Sequence, residues 1–253
     1  MDLNKLLNIS TLAGKIMLES GAETYRVEET IVRIGLSFGV DDAESFVTPT
    51  GIITSLTKDS KTVTLVRRIT SRGVDLNKID LINNLSRQVQ AQSMTVDELN
   101  TELINISQSD RYSAALTLFS SCAAAGCFAL MFGGNIKDFF AAFIIGACIK
   151  IVSTVCQKLD INSFFINSLG GGLCAILAII LMKLNICANL DKTIIGSIML
   201  LVPGLTITNA IRDTIAGDLL SGITKAAEAF LVAISIAVGT GAILSLFLNT
   251  IQS

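Results

Sequence analysis

The chain has 253 residues, 51% of them hydrophobic and 16% charged, with a formal net charge of −2 and no histidine. Histidine-based triads, histidine-ligated metal centres and histidine proton relays are therefore excluded, and a balance so near neutrality argues against a nucleic-acid binder. The mean hydropathy of +0.65 averages two unlike parts: residues 1–112 hold 12 Lys or Arg and 15 Asp or Glu, residues 113–253 only 7 and 6.

In chain order, residues 4–38 place Leu6, Ile9, Ala13, Ile16, Met17, Tyr25, Val27, Ile31 and Ile34 at three- and four-residue steps, which predicts helix, kinked or divided at Gly21. Short β-type runs follow at 45–48, 51–57 and 62–69, and Lys58-Asp59-Ser60-Lys61 predicts a hairpin turn between the last two. Residues 76–92 and 96–107 predict two amphipathic helices, the second capped by Thr95 with Glu98 three positions on. Residues 1–111 thus read as a small α+β domain. Asp2, Lys5, Lys15 and Glu19 interrupt the first twenty residues, unlike a signal peptide, so this domain is expected in the cytosol.

Within it, residues 20–31 (SGAETYRVEETI) put Glu23, Arg26 and Glu29 three apart, an acid–base–acid ladder with Glu28 beside it. Such ladders are commonly solvated pairs worth a few tenths of a kcal/mol. The alternatives are gating, holding a partner, or general acid–base chemistry. No nucleophile elbow, phosphate loop or metal cluster accompanies these acids, and no cofactor is expected.

Residues 112–253 read as a five-helix transmembrane domain, with spans at about 113–132, 139–157, 162–182, 193–211 and 228–249, each near the ~20 residues that cross ~30 Å of hydrocarbon. The alternative, a buried soluble core, would need a polar shell to cover five such helices, and that shell is missing from this part. Short joints make neighbouring helices antiparallel. Arg111, Lys158, Arg212 and Lys225 then fall on the cytosolic side against Lys137, Lys183 and Lys192 outside, a thin margin for orientation. The six cysteines all lie here without a Cys-x-x-Cys pair and read as small packing residues. Gly170-Gly171-Gly172 reads either as a helix-contact face or as a break lining a path. Lys150 either snorkels to the interface or meets a substrate carboxylate.

The fourth span is broken at Pro203-Gly204, because proline lacks an N–H and clashes with the preceding turn. Broken helices of this kind hold carboxylates and coupling ions in secondary transporters. Beyond the break, Thr206, Asn209 and Asp213 share one polar face, flanked by Arg212 and Asp218, and Ile207, Ile211 and Ile215 share an apolar one. Charges near the bilayer interior point to function, whereas an interfacial amphipathic helix would leave them in headgroups.

Three stretches, 20–31, 47–52 (VTPTGI) and 203–222 (PGLTITNAIRDTIAGDLLSG), resemble the threonine/serine exporter (ThrE-like) family over nearly the whole chain. The resemblance implies a cytosolic domain followed by five transmembrane helices in the cytoplasmic membrane, and proton-coupled export or antiport of small carboxylates. Fused members carry a second hydrophobic half, which this chain lacks; it looks like the larger subunit of the split form. That form implies a second, short membrane subunit in a hetero-oligomer of one or several copies each. Split members are associated with dicarboxylates such as succinate, fused ones with threonine and serine. On this reading Pro203, Gly204, Thr206, Thr208, Asn209, Arg212 and Lys150 bind substrate and Asp213 or Asp218 carries the proton. Glu23, Arg26, Glu28 and Glu29 serve gating or the soluble-domain motif. The rivals are a membrane-anchored enzyme or regulatory subunit with a hydrolase-like soluble domain, and a self-sufficient channel.

Overall fold

The computed structural model describes residues 2–109 and 112–252; Arg111, counted above among the cytosolic charges, lies outside them. The chain divides into two compact units, Met1–Arg111 with Leu205–Ala227, and Tyr112–Gly204 with Glu228–Ser253. Composition alone places 205–227 with the hydrophobic part. The structure packs that segment with the N-terminal residues, because its buried face is polar and finds its partners there.

In the first unit, α1 (Leu3–Glu19) and α2 (Thr24–Ser37) precede an antiparallel meander of β1 (Asp42–Thr48), β2 (Gly51–Lys58) and β3 (Lys61–Arg68), then α3 (Leu76–Gln92) and α4 (Val96–Gln108). The expected division at Gly21 is a complete helix stop. Gly21 has a φ of +89° and its N–H donates to Leu18, while that of Ala22 donates to Met17, the paired bonds of a Schellman cap. The hairpin also forms as expected: Lys58 pairs with Lys61, and Asp59 and Ser60 both have positive φ, as a tight two-residue turn requires. The Thr95–Glu98 capping box is present. One face of the sheet, carrying Ile52 and Leu56, closes on Leu6, Met17, Ile31 and Ile34, with Leu99 and Leu103 in the same core.

The second unit holds α5 (Ala114–Met131), α6 (Ile136–Lys158), α7 (Ser163–Lys183), α8 (Leu190–Ile198) and the later part of α10 (Leu219–Gln252). Ala114–Met131, Ile136–Lys158, Ser163–Lys183 and Leu219–Leu248 are long and apolar enough to cross a bilayer. They leave large apolar side chains uncovered, among them Phe119, Phe140, Ile151, Phe165 and Phe230, as lipid-facing helices do. The chain is a multi-pass membrane protein. The expected fourth span, 193–211, falls on the nine residues of α8 and the 13 of α9 (Gly204–Ala216). At a rise of 1.5 Å per residue neither alone covers ~30 Å.

Small residues set the helix contacts. A Cβ on Gly171 of α7 would lie 2.6 Å from the Ile236 carbonyl oxygen of α10, and one on Gly196 of α8 would lie 2.5 Å from the Ala129 amide nitrogen of α5. The triple glycine does not break α7, which runs unbroken from Ser163 to Lys183; of its two readings the structure has the packing one. All six cysteines are free and four are buried.

Candidate functional site

The loop from Ser20 to Glu23 and the segment 205–227 build one polar cluster inside the first unit. The loop is held from one side by 73–75, where the Gly73 N–H donates to Glu19 (2.8 Å) and the Asp75 N–H to Ser20 (2.9 Å). From the other side, the Asn209 side-chain amide donates to the Gly21 carbonyl at 2.8 Å. The Schellman turn makes that carbonyl available by reversing the chain after α1.

The second link is the cap of α2. Its N-cap residue, Glu23, makes no side-chain cap bond of its own. The cap comes instead from Asp213 on α9: one carboxylate oxygen accepts the Thr24 N–H at 3.0 Å and the other accepts the Thr24 hydroxyl at 3.0 Å. A carboxylate there also meets the positive end of the helix dipole. The second oxygen further accepts Lys225 Nζ at 2.7 Å, and both side chains are buried. Lys225 Nζ lies 3.4 Å from both the Ala22 carbonyl and the Thr24 hydroxyl. A buried ion pair is tolerable only when its remaining donors and lone pairs are engaged, and here the surrounding loop engages them.

Glu23, released from capping, turns to arginine. It pairs with Arg212 of α9 and, at 3.4 Å, with Arg26. Burial opposes its ionisation, but its own backbone amide, the Arg212 bond and the charges of Arg26 and Arg212 outweigh that and hold its carboxyl below the ordinary range. The expected three-member ladder therefore ends at Arg26. Glu29 pairs with Arg33 one turn on, and Glu28 accepts the Val47 N–H at 2.8 Å. Burial pushes the Glu28 carboxyl up, the Val47 bond opposes this, and the charges of Asp218 and Asp213 add to it. Asp218, in the turn between α9 and α10, is likewise raised by burial and by Asp213, with Lys225 opposing.

Of the residues singled out in the sequence, the structure brings together Glu23, Arg26, Asn209, Arg212 and Asp213, and couples Asp218 and Glu28 to them through charge. Pro203 and Gly204 stand at the break, where α8 ends at Ile198 and α9 begins at Gly204. Thr206 and Thr208 lie on α9, half-buried and exposed respectively, and neither enters this cluster through a side-chain bond described above. Lys150 belongs to the second unit and lines a separate cavity there.

Sequence reasoning missed Thr24 and Lys225. The available signal for Lys225 was a lone cation twelve residues after Asp213 in a run bound for the membrane. It also missed Asp138, fully buried in the second unit. Asp138 accepts from the backbone of Asn135, Ala188 and Asn189 and from the Asn189 amide, each at 2.8 Å, so it ties the start of α6 to the loop before α8. Among the described residues no group of acids and cysteines could hold a metal ion.

The model of the threonine/serine exporter family (ThrE) matches residues 8–247. Relatives include the "Probable threonine/serine exporter" of Mycobacterium tuberculosis, 22% identical over 240 residues that make up 93% of this chain and 45% of that protein. The "Threonine/serine exporter" of Corynebacterium glutamicum is 23% identical over 93% of this chain and 50% of its own length. The "Probable succinate transporter subunit YjjP" of Escherichia coli is 23% identical over 89% of this chain and 88% of its own. The chain thus spans about half the length of the two threonine/serine exporters and most of the length of the succinate transporter subunit. No solved structure matches it.

Proposed function

The chain belongs to the threonine/serine exporter family, and from that premise we propose that it is one subunit of a secondary-active, proton-coupled exporter of small carboxylates. Threonine and serine, or a dicarboxylate such as succinate, are the substrates the relatives' names suggest. It works in the cytoplasmic membrane with its first unit in the cytosol and a second hydrophobic subunit completing a hetero-oligomer.

The observation that carries this reading is the fully buried Asp213, which caps α2 and holds Lys225 with the same carboxylate. On this reading a proton carried at Asp213 cancels both the charge that pairs Lys225 and the one that favours the α2 terminus, and so would loosen the cluster. Lys225 sits in the first turns of α10, whose further residues form an apolar span. Asp218, raised by burial and by its neighbour, is the adjoining proton acceptor. Asn209 and Arg212 direct their donors to Gly21 and Glu23, so they hold this switch rather than touch substrate.

The test is efflux from loaded vesicles that contain both subunits. Uphill export should stop when the proton gradient is collapsed. Gradient-independent downhill flux through the chain alone would support a channel instead. Hydrolysis of an amide, ester or glycoside by the intact chain would support the enzyme.

A further inference from the structure

The second unit contains a partly open cavity of about 210 Å³ lined by α5, α6, α7 and the residues just before the break. Lys150, Ser121, Ser153, Gln157 and Asn167 line it, and Leu200 and Leu201 close one side. Lys150 and Gln157 also line a wider groove bounded by Thr117, Leu118 and Thr154, so the cation stands where two spaces meet. The Lys150 ammonium has neither an ion pair nor a hydrogen bond among the described residues.

A lysine within an apolar span is costly unless something pairs or hydrates it. The cavity supplies hydroxyls and amides but no carboxylate, so the missing charge must come with whatever occupies it. Size narrows the choice: an apolar cavity of roughly 150 Å³ takes the six carbons of benzene, and by that scale this one takes about eight non-hydrogen atoms. Four-carbon dicarboxylates and threonine both have eight. Charge separates them. An amino-acid zwitterion brings an ammonium into a lining that already holds one cation and no acid. A dicarboxylate brings one carboxylate for Lys150 and a second for the donors of Ser153 and Asn167, the Ser121 hydroxyl being given to the Thr117 carbonyl.

We infer that this cavity is the exporter's solute site and that it takes a small dicarboxylate, Lys150 being the residue that holds its charge. The inference rests on the exporter reading and goes beyond it by naming the site and by deciding between the two substrate classes. Leu200 and Leu201 stand three and two residues before Pro203, so any movement at the break would reshape the wall of the cavity.

Equilibrium binding of radiolabelled succinate to the full chain in phosphatidylcholine nanodiscs tests it. Saturable binding is expected, displaced by other four-carbon dicarboxylates and at least tenfold less well by serine or threonine. Lys150→Gln should weaken it tenfold or more and Lys150→Arg only a few-fold. Ser153→Ala, which leaves the helices' apolar packing untouched, should also weaken it. No saturable binding, equal competition by serine, or wild-type affinity in Lys150→Gln overturns the inference. So does loss of succinate binding in phosphatidylglycerol nanodiscs, which would make a lipid headgroup the occupant. Transport of dicarboxylate that ignores Lys150→Gln removes this site and leaves the exporter; Lys150-dependent binding without any transport leaves the site and contradicts the exporter.

Discussion

Asp213→Asn is the most informative change in the polar cluster. Asparagine keeps an oxygen that can accept the Thr24 N–H, so the cap of α2 survives, but the charge opposite Lys225 is lost. The Lys225 side chain is only 6% exposed, and removing one partner of a buried ion pair costs about 3–5 kcal/mol. Asp213→Ala deletes the cap as well, which adds about 1 kcal/mol. Adding Lys225→Met to Asp213→Asn removes the stranded ammonium and should recover most of the loss, since neutral replacements of buried pairs are often close to harmless. Hydrogen–deuterium exchange on the full chain reads this locally, in peptides covering residues 20–31 and 205–216. A loss of about 3 kcal/mol raises the opening equilibrium by more than a hundredfold. Protection in Asp213→Asn within about threefold of wild type, which is under ~1 kcal/mol, or a double variant less protected than the single one, would refute the assignment of Asp213 and Lys225 as one energetic unit.

Glu28→Gln keeps an acceptor for the Val47 N–H and removes an ionisation that burial makes unfavourable. A carboxyl raised above 4.5 withdraws stability as the pH climbs through its folded value. The variant should therefore melt higher than wild type at neutral pH, the difference vanishing below 4.5. Gly171→Ala places a Cβ 2.6 Å from the Ile236 carbonyl whereas Gly172→Ala meets nothing closer than 3.4 Å. The first should cost about 1–3 kcal/mol by forcing α7 from α10 and the second far less, as read by melting in detergent. Asn209→Ala leaves the Gly21 carbonyl without its donor, a loss of about 1 kcal/mol. Efflux from vesicles should fall while assembly with the second subunit, followed by co-purification, stays intact.

Local features were legible in the sequence. The Thr95–Glu98 box, the Asp59–Ser60 hairpin and the stop before Pro203 each depend on a few adjacent residues whose backbone preferences point one way. Features that depend on distant residues were not. The run 193–211 had the look of a span and Ile207, Ile211 and Ile215 of its apolar face, yet these side chains are exposed and α9 buries Asn209 and Asp213 instead. Nothing within a helical period announces that Thr24 will be capped from a residue 189 positions away. Spacing equally favoured Glu29 as a partner for Arg26; Arg33, four residues on, takes Glu29, while Arg212 adds a second guanidinium to Glu23. Asp138 reads as an ordinary helix-start acid, and only the fold reveals the loop before α8 folded over it.

The claim at the centre is that a proton on the Asp213 cluster drives a carboxylate out of the cell. Transport in vesicles with both subunits, comparing wild type with Asp213→Asn, measures it most directly. The variant should still exchange labelled for unlabelled substrate down its gradient but no longer export uphill when a proton gradient is imposed. Uphill export at the wild-type rate by Asp213→Asn would contradict it.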